Sequence, residues 1–265
     1  MAVAPWQFST PPAHPRDPRV VLFAFSAGPL RAGSEPPPEA LGSCRVQTIA
    51  RAQDPAWFDA WRSGSLRAIA TQDLGSQLGL LDGADHLHLI ACEPRGVQDL
   101  AYLQAAWALA RHLAERGATV VLDAMAMTYT TKLPAPDDPL DVQREVRVVY
   151  ETSSARPDRP HAIHTRGMRK FGAPDLIALV TDRDAPLVGQ AIGELADQVA
   201  RGTDLGTPMH AVEVAPGVRW VAVEDEHRLG ELLQLDNAAR VLVDADGHDL
   251  AGVVARLDPS RADPN

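Results

Sequence analysis

Apolar and polar positions recur along this chain with periods that predict short strands and amphipathic helices. Residues 20–25 are an uninterrupted apolar run, which predicts a buried strand. Gly28 and the triplet Pro36, Pro37 and Pro38 end it, since proline fixes φ and has no N–H to donate. A second strand is predicted at residues 45–50. Pro55 then opens a short helix that carries Trp57, Phe58 and Trp61 on one aromatic face. Beyond a strand at residues 87–92 lies the clearest helix. From Leu100 its apolar positions, Leu103, Trp107, Ala110 and Leu113, keep the i, i+3, i+7 spacing of a core-facing stripe. Asp99 is placed to cap its start and Gly117 to supply a left-handed residue at its end, and a strand follows at residues 119–122.

The same order returns downstream. Residues 176–180 predict a strand, and Asp184 can cap a helix with Pro186 in its first turn. Val188, Ile192, Leu195 and Val199 form that helix's inward stripe, Gly202 stops it, and a strand at residues 210–214 comes next. Residues 144–151 alternate in strand fashion, residues 212–214 and 218–223 read as a hairpin, and a short helix at 226–235 precedes a strand at 241–243. Strands joined both by hairpins and by helical crossovers predict an α+β fold, a mixed β-sheet with helices packed on it. The repeated order suggests two pseudo-repeated β-α-β halves with both long helices on one face of one sheet. The alternative is two uses of a common unit. The boundaries read as a flexible Pro-rich arm at 1–19, an N-terminal half at 20–133, a linker-like loop at 134–141, a C-terminal half at 142–258 and a tail at 259–265.

Composition narrows the class of partner. The chain of 265 residues is 45% hydrophobic and 23% charged, ordinary for a globular protein. Its 25 basic and 35 acidic residues leave a net charge of −10, which argues against nucleic acid or an anionic membrane as the main partner. Arginine supplies nearly all the positive charge, since Lys132 and Lys170 are the only lysines. The absence of a hydrophobic segment among the first 19 residues argues against a signal peptide, and no run approaches the roughly 20 apolar residues of a membrane span. Cys44 and Cys92 are too few for a disulfide framework and fit a reducing compartment, so a cytoplasmic location is expected.

Few residues carry recognisable chemistry. Neither phosphate-binding glycine motif occurs, and no cofactor is implied. His86 and His88 would share one face of a strand, and His161 and His164 lie close in sequence, yet no third ligand completes a metal site. Asp244, Asp246 and Asp249 around Gly247 do not match a calcium loop, so no metal is expected. Asp123 ends an apolar strand, where ligands often meet α/β sheets, and is the acid–base candidate. Trp57, Phe58 and Trp61 read as core. Residues 161–175 stand out because Arg166, Arg169 and Lys170 are packed beside Gly167 and Gly172 in an acidic chain. With His164 they are candidates for binding a small anion. The competing reading is a tight connection between strands, with Phe171 plugging the core and the arginines satisfying carbonyls.

Within this segment, His164-Thr-Arg-Gly-Met-Arg-Lys-Phe-Gly-Ala-Pro-Asp-Leu176 resembles the signature of the DUF4261 family. That resemblance covers roughly residues 150–202. It implies a bacterial cytosolic α+β protein without assigning catalytic residues. Two functions are then expected in turn: a non-enzymatic binding or interaction module of accessory or immunity type, meeting a basic protein partner, or an enzyme acting on a small anionic substrate through residues 161–175.

Overall fold

The computed structural model describes residues 6–31, 43–152, 161–180, 185–205, 211–215, 218–226 and 228–244. Pro36, Pro37 and Pro38, the Asp184 cap, Asp246 and Asp249, and the tail at 259–265 lie outside the described residues. The chain divides into two compact units. The first is Met1–Phe8 with Pro15–Leu140, and the second is Ser9–His14 with Asp141–Asn265.

The first unit is built on β1 (Val20–Ser26), β2 (Cys44–Ala50), α1 (Pro55–Ala60), α2 (Gly64–Leu74), α3 (Leu78–Asp82), β3 (His86–Cys92), α4 (Ala101–Ala114), β4 (Ala118–Asp123) and β5 (Thr128–Thr130). Its strands form one sheet in the order β2-β3-β1-β4-β5, with every pairing antiparallel. All seven residues of β1 are buried, which explains its continuous apolar sequence. Val21, Phe23 and Phe25 enter a core with Phe58, Leu74, Leu81 and Tyr129. Alternate residues of a strand point to opposite faces, so Leu22 and Ala24 turn toward α4, which packs on β1, β3 and β4. Each fully buried Phe or Leu contributes roughly 1.5–3 kcal/mol.

Three expectations change here. Cys44 and Cys92 are opposite each other across β2 and β3, with Cα atoms 4.1 Å apart, and they are joined as a disulfide. A separation of 48 residues hides this pairing, and only the strand register reveals it. Asp99 acts one position earlier than expected: Leu100 is the N-cap of α4, and Asp99 Oδ1 accepts from the Ala101 N–H at 3.0 Å. The Pro-rich segment is not a free arm over its described residues. Trp6 and Phe8 are buried, Trp6 Nε1 donates to the Asp138 carbonyl at 2.9 Å, and Arg16 covers the Phe8 ring at 5.2 Å.

The second unit contains α5 (Val142–Glu145), β6 (Arg147–Thr152), β7 (His161–Arg166), a 3₁₀ turn (Met168–Phe171), β8 (Asp175–Val180), α6 (Ala185–Ala200), β9 (Ala211–Ala215), β10 (Val218–Glu224), α7 (Leu229–Leu232) and β11 (Ala239–Asp244). The sheet order is β6-β7-β8-β11-β10-β9. Only β8 and β11 pair in parallel, so this sheet is mixed. α6 lies on β6, β7 and β8 and buries Val188, Ile192, Leu195 and Val199, the stripe read from the sequence.

The α+β class therefore holds, but the single shared sheet does not. α4 and α6 pack on separate sheets. The crossover through α4 passes over one strand, β1, whereas the crossover through α6 passes over two, β11 and β10. The two strand–helix–glycine–strand stretches are thus independent uses of a common unit. Among the described residues, no helix is long and apolar enough to cross a membrane.

Candidate functional site

The first six of residues 161–175 are a strand, β7, rather than a connection. Gly167 (φ 109°) and Gly172 (φ 62°) then bracket the 3₁₀ turn in left-handed conformations that disfavour a side chain. This geometry folds Met168 and Phe171 into the core, where both are fully buried. Asp175 anchors the base of the turn. Its Oδ1 accepts from Thr165 Oγ1 at 2.9 Å and from the Met168 N–H at 3.3 Å, and its Oδ2 accepts from Asn237 Nδ2 at 2.9 Å. Burial pushes this carboxyl up to about 6, against the opposite pull of the donors from Asn237, Thr165 and Met168.

The basic side chains do not converge. Lys170 points inward, its Nζ 2.6 Å from Glu145 Oε2, with both side chains fully buried. Arg144 Nε approaches the other oxygen of Glu145 at 3.5 Å. Arg166 donates to the carbonyls of Leu233 at 2.8 Å and Gln234 at 3.2 Å, and Arg169 donates to that of Asp236. Both guanidinium groups thus satisfy backbone carbonyls of residues 233–236, in the stretch between α7 and β11. His164 is buried between the Thr165 carbonyl, 3.2 Å from Nδ1, and Glu151 Oε1, 3.3 Å from Nε2. Burial is the main cause holding its pKa below the usual histidine range. Of the anion clamp expected from His164, Arg166, Arg169 and Lys170, each of the four residues has a partner within the protein, and the four are not brought to one point.

Asp123, the acid–base candidate, lies at the end of β4 in the first unit. Its carboxylate is buried, and Oδ1 accepts from the N–H groups of Met125 at 3.0 Å and Ala126 at 3.1 Å, closing the turn into β5. His88 is buried between two hydroxyls, with Ser26 Oγ 3.0 Å from Nε2 and Thr48 Oγ1 2.9 Å from Nδ1. Ser26 donates its one proton to the Gly28 carbonyl at 2.7 Å, so the imidazole must donate to Ser26 and accept from Thr48. Histidine in that tautomer cannot act as a base toward Ser26. Trp57 and Trp61 stack edge-on with each other and with Phe23. Among the described residues, no three His, Cys, Asp or Glu side chains gather as metal ligands would.

A groove forms elsewhere in the second unit. It has a volume of about 710 Å³ and lies between α5, the start of β6 and α6. Val142, Val146 and Val148 give it apolar surface, Gly189 and Gly193 keep the helix wall low, and Glu194 and Asp197 bring carboxylates. Gln143, Gln190, Gln198 and Arg147 add further polar lining. β6 is the last strand of its sheet and pairs only with β7 among the described residues. Tyr150, 54% exposed, lays its hydroxyl over the bare Cα of Gly189. The groove is hidden in the sequence because residues 144–151 alternate as one strand would, whereas α5 and β6 meet there. The one available signal was Gly189 and Gly193, four apart on a helix otherwise striped with large apolar residues.

No protein family, curated protein or solved structure matches the chain.

Proposed function

We propose that this chain is a non-enzymatic binding module whose second unit receives a basic segment of a partner protein. The observation that carries this reading is the groove beside β6: aliphatic surface, carboxylates on the helix wall and a strand edge without a partner among the described residues, in one place. An extended segment can hydrogen-bond to a free strand edge while its side chains enter adjoining pockets. Glu194 is exposed, and Asp197 shares its charge with Arg201 at 2.8 Å, so Glu194 offers the freer carboxylate to a lysine or arginine. The net charge of −10 adds a field that favours encounter with a basic partner. The alternative, an enzyme using residues 161–175 on a small anion, loses support because the cations of that segment are engaged within the protein.

The test is a selection of displayed random peptides on the folded chain. Sequences with lysine or arginine next to an aliphatic residue are expected to enrich. Glu194→Lys and the groove-filling Gln190→Trp should each weaken their binding tenfold or more without changing the melting temperature. Enrichment of acidic peptides, or of peptides indifferent to both substitutions, would overturn the proposal.

A further inference from the structure

In the first unit, a shallow depression of about 660 Å³ is lined by Arg51, Arg62 and Arg67, together with Asp59 and Asp82. Three guanidinium groups share two carboxylates, which leaves an excess positive charge in a chain of net charge −10. The arginines are used unequally. Arg62 is fixed, with a side chain only 12% exposed. Its Nη1 donates to the carbonyls of Leu81, Asp82 and Ala84, and its Nε donates to Asp59. Arg51 spends Nε and Nη2 on Asp59, and Arg67 spends Nη1 and Nη2 on Asp82. Arg51 Nη1 and Arg67 Nε therefore have no acceptor among the described residues. Both side chains are open to solvent, at 48% and 37% exposure. Ser63 also lines the depression, and its hydroxyl makes no capping bond to α2.

The two aspartates do more than neutralise. Each holds a flexible arginine by two or more hydrogen bonds, so the unspent N–H groups are presented at little further entropic cost. These donors belong to separate side chains around one hollow. A tetrahedral oxyanion can meet donors from several directions, whereas a planar carboxylate is matched by one guanidinium fork.

We propose that this depression binds a phosphoryl group, with Arg51 and Arg67 as the direct contacts and Arg62 as the fixed charge beneath them. The inference is independent of the peptide groove, which lies in the other unit. The same chemistry could come from inorganic phosphate or from a small phosphate monoester.

The test is a titration of the full chain at low ionic strength with inorganic phosphate, glycerol phosphate, acetate and matched chloride, followed by thermal melting and equilibrium dialysis. A saturable upward shift with the two phosphates, but not with acetate or chloride, is expected. It should weaken as salt is added. Tighter binding of glycerol phosphate than of inorganic phosphate would identify the monoester as the ligand class, and the reverse order would identify the free ion. Arg51→Ala and Arg67→Ala should each lower the affinity tenfold or more while leaving the ligand-free melting temperature in place. If an alanine variant melts early, Arg→Gln at the same position, read by dialysis, replaces it. A phosphate shift no larger than that of chloride, or one that survives both substitutions, would overturn the proposal.

Discussion

Lys170 and Glu145 meet with both side chains fully buried, so removing either one leaves a charge without its partner in a low-dielectric interior. Lys170→Met is therefore expected to cost about 3–5 kcal/mol in urea denaturation. Lys170→Met combined with Glu145→Leu should recover most of that loss, because no buried charge then remains. A lysine between glycines and arginines reads as surface cation in the sequence, since nothing local shows that Glu145 will face it from another element. Asp175 and His88 carry opposite pH dependences. The Asp175 carboxyl is raised from 3.8 to about 6 by burial, so the folded state holds its proton longer and stability falls as pH rises through that window. Burial, followed by the neighbouring His86, lowers His88 from 6.5 to about 4, so its contribution is complete above 6.5 and is lost as pH falls toward 4. At about 1.36 kcal/mol per pH unit, each effect is on the order of 3 kcal/mol. They sit in different units, so hydrogen exchange resolved by residue should show the first unit strengthening between pH 4 and 6, whereas in the second unit the lowered pKa of His164 opposes the Asp175 effect. Asp175→Asn should therefore leave a second unit that gains stability with pH over this window, and His88→Asn should flatten the slope of the first.

Helices are legible where one face is buried and the other is wet. α4 and α6 have such faces, and their stripes were read directly. α2 was missed because it buries only Ala70 and Leu74, too little to mark a face. β7 is hidden in the sequence because its four central residues are all buried and include His164 and Thr165, which removes the alternation of a half-exposed strand. The candidate site failed to emerge for a related reason. Charge was visible in the sequence but its partners were not, and the groove depends on two elements meeting at Val146. Register decides the disulfide in the same way. Because Cys44 and Cys92 tie β2 to its neighbour across a loop of 48 residues, reduction or Cys44→Ala with Cys92→Ala is expected to cost roughly 2–4 kcal/mol. Melting with and without reductant measures this, and thiol titration of the unfolded chain should find none free before reduction.

At the scale of the molecule, the division between the units does not follow the order of the sequence. Ser9–His14 belongs with the second unit, and the Thr10 N–H donates to the Arg201 carbonyl at 3.1 Å. A fragment beginning at Asp141 therefore lacks part of its own unit. It is expected to melt below the same unit in the full chain, and a synthetic peptide of residues 9–14 should raise its melting temperature. This arrangement also sets a schedule for a chain made from its N-terminus. The residues on either side of Ser9–His14 can settle as soon as the first unit is complete, but Thr10 has no acceptor until Arg201 has been synthesised. From Leu140, where the first unit ends, Arg201 lies about 60 residues on, so at ~5–20 residues per second the wait is roughly 3–12 s. For that interval a short, proline-bearing stretch near the start of the chain is held at both ends by a folded body while its own place does not yet exist, so the last step of assembly uses some of the first residues made.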